Sequence, residues 1–155
     1  MKTAFNSIVF IFMVMSMTTA SFSATTSISP EELVQLQLDA YNAHDMDAFL
    51  ATYSDTAQII EFPSTVQAVG KEQMRQRYAT RFNDPTRHCT IVNRIVMGNT
   101  IVDHERIRAT FPEGVGVLEA IAIYEVVDGK IVKATLKVGE KKLDTDVGLP
   151  RHSEK

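Results

Sequence analysis

Two side chains in this sequence combine types that suit proton chemistry, Glu61 and His104. Strand alternation puts Glu61 on the same face as Ala57 and Ile59. A carboxylate on an apolar strand face costs free energy unless it has a partner. His104 shares its strand face with Val102 and Arg106, while Asp103 and Glu105 take the other. If Glu61 and His104 face one cavity, burial raises the carboxyl pKa and lowers that of the imidazole. Both then titrate near neutrality, where acid–base work is efficient. The chemistry would be proton transfer at a carbon beside a carbonyl, as in isomerisation, aldol-type cyclisation or dehydration. The alternative is a satisfied ion pair in a protein that binds without reacting.

The elements that must hold these residues follow from the pattern. Ser29-Pro30-Glu31-Glu32 opens a helix with a capping box and proline at its first position. Leu33, Leu36, Ala40 and Tyr41 form its apolar stripe, and Asn42-Ala43-His44 ends it. Asp45 caps a short second helix with Phe49, Leu50 and Tyr53 inward. Residues 57–62 read as a strand, followed by a Pro63-Ser64 turn. Gly70 opens a third helix whose Met74, Tyr78 and Phe82 share one face, with the Phe82 end reaching the pocket. Lys71, Arg75, Arg77 and Arg81 read as a solvated face. Strands are then predicted over 88–97, 101–111, 115–127 and 131–138, the last two joined by the hairpin signal Asp128-Gly129. Helices segregated on one face of an antiparallel meander make an α+β domain. Four long twisted strands curl, so the interior becomes a cone under the three N-terminal helices.

Residues 1–23 stand apart. Lys2 precedes the apolar run Ile8–Met15, and small residues follow. This is the layout of a secretory signal peptide, with cleavage after Ala20 or Ser23. The run falls short of the roughly 20 residues that span a bilayer; the alternative is an uncleaved anchor. The domain is expected over 24–140 and a polar tail over 141–155. Loss of Lys2 takes the formal charge from −3 to −4, which disfavours nucleic acid as a partner. The single cysteine, Cys89, excludes an internal disulfide and reads as a small buried hydrophobe.

Metal binding is not expected. Asp103, His104 and Glu105 alternate across a strand and cannot converge on one ion. His88-Cys89 fails likewise, and His44 and His152 are isolated. No motif calls for a cofactor. Arg75 or Arg94 could pair with an acid such as Glu105.

Four segments carry a family resemblance: Ala40-Tyr41-Asn42-Ala43-His44-Asp45-Met46-Asp47-Ala48-Phe49 with Tyr53-Ser54-Asp55-Thr56-Ala57; Gly70-Lys71-Glu72; Arg94-Ile95-Val96-Met97-Gly98-Asn99; and Tyr124-Glu125-Val126-Val127-Asp128-Gly129-Lys130-Ile131. The chain thereby resembles the nuclear transport factor 2-like superfamily, in its SnoaL-like and ketosteroid-isomerase-like branch, over about residues 30–138. The resemblance implies the cone-shaped, cystatin-like α+β fold, a pocket for a small hydrophobic carbonyl compound, and a homodimer paired through the outer sheet face. It implies Glu61 as the base and places His104, Tyr53, Tyr78 and Tyr124 at pocket positions; His104 would then serve as an acid or orienting group. Gln37 stands where the isomerases carry their tyrosine oxyanion donor, and Ala122 where they carry a protonated acid. The steroid isomerase oxyanion hole is therefore not expected here, although the same fold also serves as a non-catalytic binding or assembly module.

Overall fold

A computed structural model of the protein describes residues 28–147. The leader expected at 1–23 and the residues beyond 147 lie outside the described residues. The chain runs α1 (Pro30–Asn42), α2 (Met46–Ala51), β1 (Tyr53–Glu61), β2 (Thr65–Val69), α3 (Gly70–Phe82), β3 (His88–Met97), β4 (Thr100–Phe111), β5 (Gly114–Val127) and β6 (Lys130–Leu143), closing on a 3-10 turn at Asp144–Val147. The strands form a six-stranded sheet in the order β2-β1-β6-β5-β4-β3. The expected α+β architecture is thus present: three N-terminal helices pack on one face of a curved, unclosed sheet.

The helix starts follow their local chemistry. Ser29 and Glu32 satisfy each other's backbone N–H groups in a complete capping box, and Asp45 accepts from the Ala48 N–H to cap α2. Gly70 has φ +76°, and a Cβ there would lie 2.9 Å from the Asp55 carbonyl oxygen. A glycine is required at this corner, which sets α3 against β1.

Several details differ from the sequence reading. Tyr53 starts β1 instead of ending α2, and Thr65–Val69 forms an edge strand paired antiparallel with β1. β1 lies parallel to β6, so the sheet is mixed. Residues 141–143 belong to β6 and not to a tail. Leu36 is half exposed; Val34, Gln37 and Leu38 join Leu33 on the buried side of α1.

An aromatic cluster fills the space between helices and sheet. Phe49 lies 4.7 Å from Tyr78 and 5.2 Å from Tyr53, centroid to centroid. Tyr41 meets Phe82 edge-on at 5.5 Å. Such tilted and edge-to-face pairs add to the stabilisation from area burial alone.

Candidate active site

The alternation of β4 decides which acid enters the interior. Ile101, Asp103, Glu105 and Ala109 are buried, with Ile107 packed against the core. The intervening His104, Arg106 and Arg108 point to the outer face, where His104 Nε2 and Arg106 Nη2 each lie 3.2 Å from Glu119 carboxylate oxygens. His104 is therefore on the opposite side of the sheet from the pocket position expected of it. The cost of enclosing Arg106 and Arg108 forces that choice, because they share its face.

The interior holds a cavity of about 500 Å³, within the roughly 300–1,000 Å³ typical of small-molecule sites. Its floor is polar. Glu105 is 7% exposed and accepts a hydrogen bond from the Tyr124 hydroxyl at 3.0 Å. The Cys89 thiol lies beside the same carboxyl. Burial raises the Glu105 pKa to about 7, with the nearby Asp103 charge adding to it and the Tyr124 and Cys89 contacts opposing it. Gln37 of α1 completes this end. The middle of the cavity is apolar, lined by Leu38, Ile107, Leu118, Ala120 and Leu136.

The surrounding phenols are donors at neutral pH. Burial pushes Tyr53 and Tyr124 well above their usual value of 10 and also raises Tyr78. Burial likewise raises the Cys89 thiol, so it stays protonated and unreactive.

Among the residues singled out from sequence, the cavity brings together Gln37, Tyr78, Tyr124 and Glu61. Glu61 lies at its rim, exposed, bonded to Gln67 Nε2 at 2.7 Å, and is not enclosed. Tyr53 lies beneath the wall against the Gln37 side chain. Ala122 is fully buried beside Asp103, and Phe82 is taken up by the aromatic cluster; neither lines the cavity. The acid that enters the interior is Glu105, whose signal was its spacing from Ile101, Ile107 and Ala109.

The other pairings are also reassigned. Arg94 is held by Asp103, not Glu105, through two 2.7 Å bonds, and donates to Gln35 of α1 at 3.0 Å. Arg75 pairs with Asp47. Among the described residues no cluster of His, Cys, Asp and Glu could hold a metal ion, and no helix is long and apolar enough to cross a membrane.

A family model for the SnoaL-like domain matches residues 34–134. No curated protein matches the chain. Solved structures share the fold. An uncharacterised cystatin-fold protein from Novosphingobium aromaticivorans is 24% identical, with a TM-score of 0.65 over 70% of this chain and 97% of that one. A putative SnoaL-like polyketide cyclase from Jannaschia is 18% identical, with a TM-score of 0.62 over 70% and 84%. A computationally designed 17-OHP binder is 20% identical, with a TM-score of 0.61 over 76% and 95%. With its helices, mixed curved sheet and interior cavity in place, the chain belongs to the SnoaL-like domain family within the nuclear transport factor 2-like fold.

Proposed function

We propose that the protein takes a small, largely apolar carbonyl compound into this cavity and that Glu105 exchanges a proton with the carbon beside the carbonyl. One observation carries the reading. A buried carboxyl poised near neutrality, with a phenol donor 3.0 Å away, faces a partly open cavity of small-molecule size. As carboxylate, Glu105 would accept the proton. Gln37 and the protonated Tyr78 line the same space and could donate to the oxygen on which charge develops. That a designed 17-OHP binder uses the same fold agrees with a small-ligand role.

The test is hydrogen–deuterium exchange at the α-carbon of a panel of small cyclic ketones, followed by proton NMR in heavy water. Glu105→Gln is expected to slow exchange about 10²–10⁴-fold, the usual contribution of a positioned acid or base. Equal rates in the two proteins would overturn the assignment. A carbonyl compound retained by the purified protein, without exchange, would leave it a binder.

The outer sheet face supports a homodimer as the assembled form. Ile95 and Met97 are 56% and 72% exposed and lie in register with Val102 and Thr100, next to Ile121 and Ile123. His104, Arg106, Glu119 and Lys137 border this apolar centre, the usual layout of an interface. Light scattering of the purified protein is expected to give a dimer, and Ile121→Arg a monomer. We also propose export with removal of the leader, expected to appear as a mature N-terminus at Ser21 or Ala24 in protein recovered outside the cytoplasm.

A further inference from the structure

The cavity is not uniformly apolar, and its charge is one-sided. Arg77 and Arg81 lie one turn apart on α3 and both line it, as does Arg87 from the connection to β3. All three are half-buried. Facing them are Glu61 at the rim, exposed, and Glu105 on the floor, which burial holds near neutrality. Glu61 is joined to Arg77 through Gln67, which donates to the acid at 2.7 Å and accepts from Arg77 Nη1 at 2.9 Å. Arg81 sits over the Tyr78 ring at 5.1 Å and has no ion-pair partner among the described residues. Arg87 has Asp84 no nearer than 3.8 Å, and that carboxylate is occupied by hydrogen bonds from Thr86 and Thr110.

The Nε groups of Arg77 and Arg87 are buried without a hydrogen-bond partner. Orphaned donors of this kind are uncommon in a finished structure. Arg87 is also fixed from outside. Its carbonyl bonds His44 Nε2 at 2.9 Å, and the Asn42 side chain clamps both backbone groups of Cys89. Folding thus gathers three guanidinium groups into one partly desolvated wall, against the exposed Glu61 at the rim and, beside Arg87 alone, Asp84 at 3.8 Å and the Tyr41 hydroxyl, which accepts from Arg87 Nη1 at 3.3 Å. That arrangement is costly unless something negative joins it.

We infer that the compound taken into the cavity is an anion, a mainly apolar molecule bearing one carboxylate or similar acidic group that sits against Arg77, Arg81 and Arg87 while its other end reaches Tyr124 and Glu105. The inference rests on the small-molecule reading of this cavity and adds the ligand's charge and orientation. A planar oxyanion matches the forked geometry of guanidinium donors. The apolar stretch between the arginines and Glu105 then takes the ligand's hydrocarbon body.

Two fluorescent probes with the same aromatic body separate the claims: anilinonaphthalene sulfonate, which is anionic, and neutral N-phenylnaphthylamine. The sulfonate is expected to bind about tenfold more tightly or better, the worth of one charge-assisted hydrogen bond. Arg81→Gln and Arg87→Gln are each expected to lower its affinity by roughly 5- to 10-fold and to leave the neutral probe unchanged. Added salt should narrow the gap. Ala120→Trp, or Ala120→Leu should the larger residue prevent folding, is expected to expel both probes. If the neutral probe binds as well as the sulfonate and responds to Ala120 substitution, the anionic ligand is refuted and the container stands. If neither probe responds to filling at Ala120, both fall.

Discussion

Replacing Glu105 by glutamine tests the central electrostatic claim without needing a ligand. Glutamine keeps the shape of the side chain and an oxygen for the Tyr124 hydroxyl, and removes only the titration. The carboxyl moves from its ordinary 4.5 in the unfolded chain to about 7 in the folded one. The folded state therefore binds the proton more tightly. The contribution is complete below the unfolded value and drains away as pH rises from about 4.5 through about 7. At about 1.36 kcal/mol for each pH unit between the two values, the loss is roughly 3 kcal/mol. Urea denaturation of wild type and Glu105→Gln at about pH 5 and about pH 8 measures it, since other titrating groups are common to both proteins and cancel. Wild type should lose about 2.5 kcal/mol more than the variant over that interval, which begins half a unit above the unfolded value. Parallel pH profiles, within about 1 kcal/mol, would refute the claim that the floor of the cavity desolvates this acid.

Three further outcomes follow from the same geometry. Asp103→Ala strands Arg94, half of a pair whose acid is 1% exposed, and should cost about 3–5 kcal/mol in denaturant melts. His104→Ala, on the outer face, should change stability by no more than about 0.5 kcal/mol and leave probe affinity intact; a large loss of binding would reverse the placement of β4. Gly116→Ala would drive a methyl into the Lys142 backbone where β5 meets β6, and should destabilise by about 1–3 kcal/mol, read as a lowered Tm.

Much of the fold was legible because it rests on short-range chemistry: the Ser29 capping box, Gly70 at the start of the third helix and the hairpin at Asp128-Gly129 all appear as read. What escaped depends on distant partners. Thr65–Val69 is five residues long and becomes a strand because β1 offers an edge. The inward face of β4 was readable in principle. Ile101, Ile107 and Ala109 share parity with Glu105, whereas His104 travels with two arginines. The family's pocket position falls on His104, one residue out of phase with that inward pattern. The α3 arginines show the opposite difficulty. Lys71 and Arg75 reach Asp55 and Asp47 at the surface, while Arg77 and Arg81 turn inward. Four basic residues on one helix divide by azimuth, and charge alone does not reveal the division.

The parallel seam between β1 and β6 has a consequence for how the molecule comes together. Tyr53 registers with Ile131, a separation of 78 positions. Pairings this remote must await large loop closures and slow folding. A nascent or partly threaded chain can form its local hairpins from β3 onward. It cannot seat the β1–β2 ribbon until the final strand arrives, because β6 is the bridge between that ribbon and the rest. The last strand of the sheet to be made is thus the keystone, and fragments ending before Lys130 should remain open and prone to self-association.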